Sequence, residues 1–322
     1  MLLDTTLREG EQAPGVRFTA PQRRQILSAL GRARVEAIEC GWAGHPDLAQ
    51  TVADARRLAP HAGLAVWCRT RADDVARAAA VRPDWISVGL PGSDLHLERR
   101  LHRDRAWALA QPAALAALGH AHGCAIALGI EDATRADPTF VAELAAAAES
   151  AGIRRLRLAD TCGLGEPDGI ARLVAQVHPY FSGVLGLHLH DDFGLAMGNA
   201  VAGIGAGADS CDGSLLGLGE RAGIVASERL AGWACLRRGG SGLHLPPVLA
   251  AARRLATWTS RTIDPDRPLL GSGLFTCESG IHLHGLLRDP RTFEPYDPAL
   301  VGATRQAVRS WKGGRTAAVV MG

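Results

Sequence analysis

Over roughly the first 240 residues, short apolar runs alternate eight times with longer amphipathic or alanine-rich stretches. No other feature restricts the possible folds so strongly. The apolar runs predict strands at Met1–Leu7, Val35–Cys40, Leu64–Cys68, Trp85–Leu90, Cys124–Ile130, Arg155–Ala159, Val184–His190 and Asp209–Ser214. Between them the spacing predicts helices from Thr19 through Leu30, then at Pro46–Leu58, Ala72–Ala80, His96–His122 (broken near Pro112), Pro138–Ser150, Pro167–Val177, Gly198–Ala206 and Val225–Leu236. Thr19 suits an N-cap, with Pro21 tolerated in the first turn. Eight such pairs match a closed (β/α)8 TIM barrel in size and order. A doubly wound open sheet is the competitor. No G-x-G-x-x-G follows the first strand, which weakens its dinucleotide-binding version. Gly203-Ile-Gly-Ala-Gly falls on a helix and reads as close helix packing.

The remaining chain is different. Gly239-Gly-Ser-Gly242 reads as a linker, and beyond it come a helix at Pro247–Thr257 and loops rich in proline. We therefore expect a barrel domain over 1–240 and a C-terminal helical and loop extension over 241–322. The extension is too small for a core of its own and should dock on a barrel, its own or a partner's. A net charge of +2 over 322 residues leaves no electrostatic footprint for nucleic acid or a membrane surface. Arg99-Arg100 and Arg237-Arg238 read as solvated helix faces. No run of about 18 apolar residues predicts a membrane span, and the start has no signal-peptide pattern. Seven cysteines without a C-x-x-C pair suggest free, mostly buried thiols in a reducing cytoplasm.

In a barrel of this kind chemistry gathers where strands end. Polar residues collect there: Arg8, Glu9 and Gln12 after the first strand, then Glu39, Arg69, Glu131-Asp132, Asp160-Thr161, His188 and His190, and Glu220-Arg221. His188 and His190 alternate along a strand and share a face. Two imidazoles side by side suit Zn²⁺, Mn²⁺ or Fe²⁺, although a His-x-His pair on an edge strand can also be plain half-exposed surface. Asp132 reads as a cap of the following turn, and an arginine such as Arg69 at a loop start is usually solvated.

Asp4-Thr-Thr-Leu-Arg-Glu-Gly-Glu-Gln12 resembles the opening signature of the DRE-TIM metallolyase family, in its Claisen-condensing branch. Further blocks agree: Ile130-Glu-Asp-Ala-Thr-Arg135, Leu158-Ala-Asp-Thr-Cys-Gly163, His188-Leu-His190 through Asn199, Leu216-Gly-Leu-Gly-Glu-Arg-Ala-Gly223, and Glu278-Ser-Gly-Ile-His282 with Asp297-Pro298. The stretches Leu101–Trp107 and Asp289-Pro-Arg-Thr-Phe-Glu-Pro295 look most like homocitrate synthases of the nitrogen-fixation type.

The resemblance implies a divalent metal (Mn²⁺, Mg²⁺ or Zn²⁺) held by Glu9, His188 and His190, and a condensation of acetyl-CoA with 2-oxoglutarate. It makes Arg8 the stabiliser of developing alkoxide charge and Thr161 a ligand of the substrate carboxylate. Glu131 would orient the acetyl group or assist proton transfer, and His282 would take a proton from the acetyl methyl. Gln12, Glu39 and Arg69 would line the acid pocket, and His284 would be structural. A homodimer with exchanged C-terminal segments is implied as well. Four positions depart from the family pattern. Ile224 stands where asparagine is common, Cys277 replaces a histidine, Phe293 replaces a tyrosine, and the last block is reduced to Ser310-Trp-Lys-Gly-Gly314. The alternatives are a synthase for another 2-oxo acid (2-isopropylmalate or citramalate synthase), a weakly active or non-catalytic metal-binding homologue, and a lyase running in the cleavage direction. Pocket charge separates the first two readings, since a distal carboxylate wants a cation and an isopropyl group wants apolar walls.

Overall fold

The computed structural model describes residues 2–238 and 242–307. Most of the expected linker and the whole Ser310–Gly314 block lie outside the described residues. Eight parallel strands form a closed barrel in chain order: β1 Leu2–Asp4, β2 Ala37–Trp42, β3 Gly63–Arg69, β4 Trp85–Pro91, β5 Ala125–Glu131, β6 Arg155–Asp160, β7 Val184–Leu189 and β8 Ser210–Gly213. Closure comes from β1 pairing with β8, with Leu3 opposite Asp212 and Asp4 opposite Gly213. The crossover helices are α1 Ala20–Ala33, α2 Leu48–Leu58, α3 Ala72–Ala79, α4 Arg105–Ala121, α5 Pro138–Ser150, α6 Pro167–Val177, α7 Ala196–Gly205 and α8 Ser227–Gly232. None of the described helices is long and apolar enough to cross a membrane.

Local chemistry sets the boundaries. Thr19 and Gln22 form a reciprocal capping box at the start of α1, with Pro21 in the first turn. β1 is shorter than the expected Met1–Leu7. Asp4 Oδ1 accepts from Thr6 N at 3.0 Å, and this local bond turns the chain after Asp4. The fourth crossover also differs. Pro112 sits inside α4 without breaking it, buried with Ala108, Leu115 and Gly119. The interruption falls earlier, at His102 with φ +54°, after which Asp104 caps α4 by accepting from Trp107 N at 2.8 Å.

The core lies between strands and helices. Inside the barrel, Ala37, Ala65, Trp85 and Ala127 pack against Leu3. Beyond β8, helix α9 (Leu245–Trp258) buries Leu245, Val248, Leu249, Ala252 and Leu255 in the same core as the barrel. Each such leucine is worth about 2 kcal/mol of burial. His244 N donates to Ala33 O at 2.8 Å at the end of α1, and Arg267 reaches Leu216 O at 2.9 Å. This part of the extension thus docks on its own barrel. Helix α10 (Gly280–Arg288) follows, next to a short parallel pair, β9 Thr276–Cys277 and β10 Gln306–Ala307.

Candidate active site and metal centre

The turn after β1 delivers the first two side chains. Thr5 O accepts from Arg8 N and Glu9 N at 3.0 and 2.8 Å, which folds the backbone back over the barrel mouth. Arg8 Nε then donates to Glu39 Oε2 at 2.6 Å, and Nη1 donates to Glu9. Two bonds from one guanidinium fix its plane. Thr5 Oγ1 adds a third bond, to Glu39 Oε2 at 2.9 Å. Glu39 is fully buried, and burial pushes its carboxyl up. Arg8 and Arg157 more than reverse that and hold it at about 2. With Oε1 accepting from Arg157 at 3.3 Å, both Glu39 oxygens are engaged. Glu39 was expected to line the acid pocket. It lies instead beneath the mouth and holds Arg8, because two buried guanidiniums need its charge.

His188 and His190 project together from the end of β7, with ring centroids 5.3 Å apart. His188 Nε2 is 3.7 Å from Glu9 Oε2, and one donor atom from each of Glu9, His188 and His190 lies within 4.8 Å of the others. All three residues are buried. The Gln12 amide nitrogen, oriented to satisfy its bonds, donates to both Glu9 oxygens at 2.8 and 3.1 Å. Asp212 Oδ2 lies 2.9 Å from His188 Nδ1. The carboxylate accepts a hydrogen bond from Nδ1–H, a tautomer that leaves the Nε2 lone pair facing the cluster. Burial, and then His188, push the His190 imidazole down to about 3, so it stays neutral.

These residues fit a divalent cation. Two imidazoles and a carboxylate are a donor set for Zn²⁺, Mn²⁺ or Fe²⁺ with open positions. His190 Nδ1 is buried with no hydrogen-bond partner. The carboxylates of Glu9, Glu39 and Asp212 outnumber the two guanidiniums they contact, Arg8 and Arg157, and Glu9 and Asp212 also face His188. Ile224 bridges to His190 through the backbone, and its side chain adds no ligand.

The other expected site residues are spread around the mouth. Thr161 Oγ1 accepts from Asp132 N at 2.8 Å, which leaves the hydroxyl proton free to donate outward. Asp132 has φ +58° and accepts from Ser93 and Arg135, so it organises the β5 loop. Arg69 is exposed and its Nε donates to Asp74 at 2.7 Å. Glu131, at the end of β5, is paired with Arg100. A cavity of about 510 Å³ opens between the ends of β3, β4 and β5, walled by Trp67, Arg69, Arg71, Arg100, Arg103 and Glu131. Arg8 Cζ lies 5.6 Å from the centroid of the ring of Trp67, a residue that also lines this cavity, while Arg8 itself is not among the lining residues. His282 is elsewhere. It is exposed on α10, with its ring 4.2 Å from that of Phe293.

Residues 1–253 match the family model described as HMGL-like, and residues 269–319 match the one described as homocitrate synthase post-HMGL domain-like. The chain belongs to the HMGL-like DRE-TIM family. A homocitrate synthase of Frankia alni is 41% identical over 97% of this chain and 90% of its own length. A probable 2-isopropylmalate synthase of Ignicoccus hospitalis is 33% identical over 98% of this chain and 79% of its own. The hydroxymethylglutaryl-CoA lyase structure from Pseudomonas aeruginosa has a TM-score of 0.73 at 20% identity, over 81% of this chain and 93% of that one. That likeness concerns the fold. Like its synthase relatives, this HMGL-like protein is a transferase-type condensing enzyme.

Three residues that pair with the candidate site residues of this HMGL-like barrel were not singled out from the sequence. Arg100 was read as a solvated helix face; it is exposed on the helical turn Leu97–Leu101 and also pairs with Glu131 on the cavity wall. Arg157 and Asp212 lie within predicted strands. The available signal was a lone arginine in the apolar run Leu156–Ala159 and an acid in the short strand β8. A charge inside a barrel strand has to be paired.

Proposed function

We propose that this protein condenses acetyl-CoA with 2-oxoglutarate to give homocitrate and CoA. The observation that carries the reading is the arginine-walled cavity between the ends of β3, β4 and β5. Arg71 and Arg103 line it with no carboxylate within 4.0 Å among the described residues, while Arg69 and Arg100 are each held by one. Such a wall supplies cations for the distal carboxylate of a dicarboxylic 2-oxo acid, with Trp67, Leu101 and Trp107 as its apolar part.

In this reading Glu9, His188 and His190 hold the divalent metal. When bound, the ion polarises the ketone as a Lewis acid. Gln12 steadies Glu9. Thr161 donates its hydroxyl proton to the carboxylate next to the ketone. Arg8, fixed by Glu39 and Glu9, faces the negative charge that grows on the ketone oxygen. Glu131, restrained by Arg100, orients the acetyl thioester or assists proton transfer, and Arg69 completes the acid pocket with its neighbours. His282 takes a proton from the acetyl methyl, a task within reach of imidazole near neutral pH. The resulting enolate forms the carbon–carbon bond at the keto carbon, and water then cleaves the thioester to release CoA.

His282 is exposed on α10 against the ring of Phe293 from the turn that follows, and Ile281 and Leu287 of α10 are exposed as well. We assign this segment to the mouth of a second copy of the chain, in a homodimer.

The test is CoA release from acetyl-CoA with Mn²⁺ present, across a panel of 2-oxo acids. Release with 2-oxoglutarate far above 2-oxoisovalerate and pyruvate is expected. Preference for either of the latter overturns the substrate assignment, and no release with any acid from folded, metal-loaded protein overturns the reaction.

A further inference from the structure

β6 carries two arginines at alternate positions: Arg155 lies over the Trp85 ring, 4.1 Å from its centroid, and Arg157 stands one layer nearer the mouth. Arg157 points inward, opposite Gly129 of β5 and Gly186 of β7 in the strand register. Neither neighbour brings a side chain to that layer beside Arg157. A Cβ on Gly129 would stand 3.6 Å from Arg157 Nε. From there a single nitrogen, Nη1, donates to Asp212 Oδ2 at 2.6 Å and to Glu39 Oε1 at 3.3 Å. Asp212 holds the His188 ring at 2.9 Å, and Glu39 holds Arg8 at 2.6 Å. Arg157 is largely buried, with side-chain exposure of 13%.

We propose that Arg157 is a positioning residue. Through Asp212 it fixes the tautomer and orientation of His188, and through Glu39 it fixes the guanidinium of Arg8. The two halves of the centre, a metal ligand from β7 and a charge stabiliser from the β1 turn, are set relative to each other by one side chain that touches neither. This inference rests on the metal reading above and adds the residue that couples metal binding to Arg8. Without Arg157, Asp212 and Glu39 each lose a cationic partner inside the barrel. Asp212 is then free to rotate away from His188 Nδ1, and Glu39 can shift with Arg8.

The experiment is calorimetric titration of metal-free full-length protein with Mn²⁺ alone, for the natural sequence, Arg157→Met and Arg157→Lys, with melting temperatures recorded alongside. KM for the 2-oxo acid and kcat are measured on the same samples. Arg157→Met is expected to weaken Mn²⁺ binding about 10- to 100-fold and to lower kcat by a similar factor, with a smaller change in KM. Arg157→Lys, which keeps the cation and so the fold, is expected to recover part of the affinity. Natural protein that binds Mn²⁺ while both variants bind it within twofold and keep kcat overturns the positioning role alone. Natural protein that binds no Mn²⁺ overturns the metal reading and this inference together.

Discussion

Ser227, at the start of α8, donates its hydroxyl proton to Asp4 Oδ2 at 2.6 Å across the seam where β1 meets β8. Asp4 is fully buried, and burial pushes its carboxyl up from 3.8 to about 6 against the hydrogen bonds from Ser227 and Thr6, with Glu228 adding to the rise. The native state therefore holds this proton more tightly than the unfolded chain does. The stabilisation is complete below the unfolded value and is lost as pH rises through about 6, worth on the order of 3 kcal/mol. Asp4→Asn should remove this slope. In urea unfolding between pH 4 and 7, the gap between variant and natural protein should shift toward the variant as pH rises. A gap that stays constant with pH contradicts the assignment.

His188→Ala should abolish Mn²⁺ binding and metal-dependent activity while the barrel stays folded, because Asp212 keeps its bond to Arg157. Mn²⁺ titration and circular dichroism read the two halves separately. Full activity in this variant would sink the site assignment.

Arg103→Ala removes from the cavity wall a cation with no carboxylate within 4.0 Å among the described residues. A charge-assisted hydrogen bond is worth about 1.5–3 kcal/mol, so KM for 2-oxoglutarate should rise about 10- to 100-fold. KM for acetyl-CoA should change little. Equal rises in both constants would move the cavity to the phosphates of CoA.

His282→Ala should lower kcat by about 10²- to 10⁴-fold and leave Mn²⁺ binding intact. Co-expressed with His188→Ala, it should regain about a quarter of the natural activity, since half the dimers formed by random pairing carry one complete site. Absence of any recovery from mixed dimers would place His282 in the site of its own chain.

Two glycines of α7 separate packing from propensity. A Cβ on Gly203 would meet Leu187 Cδ1 at 2.4 Å, whereas a Cβ on Gly205 meets nothing within 4 Å. Gly203→Ala should cost about 1–3 kcal/mol by overpacking, and Gly205→Ala should be neutral or stabilising by about 0.5–1 kcal/mol. Chemical unfolding of both variants tests the pair.

The barrel was legible because its signals are local. Each strand is a run of apolar residues, the stretches between them have helical spacing, and the first helix starts at the Thr19 cap, so order and count follow from the chain itself. The His188 and His190 pair was legible for the same reason, since alternation along one strand puts both on one face. The early end of β1 and the smooth passage of α4 over Pro112 were not legible. An aspartate bonding its own backbone, and packing strong enough to carry a proline, are outcomes of competition between local and tertiary contacts.

By itself the sequence determined the barrel, its family and the side chains that gather at strand ends, because periodicity and motif spacing are written along one chain. Only the tertiary structure decided how those side chains are used. Glu39 lies beneath the mouth, holding Arg8. Arg100, exposed on its helical turn, also pairs with Glu131 on the cavity wall. Arg157 reaches two carboxylates contributed by β2 and β8, 118 and 55 residues away. Such pairings depend on which residues share a layer of a closed barrel. That layer is fixed by strand register across the seam, which no stretch of local sequence encodes.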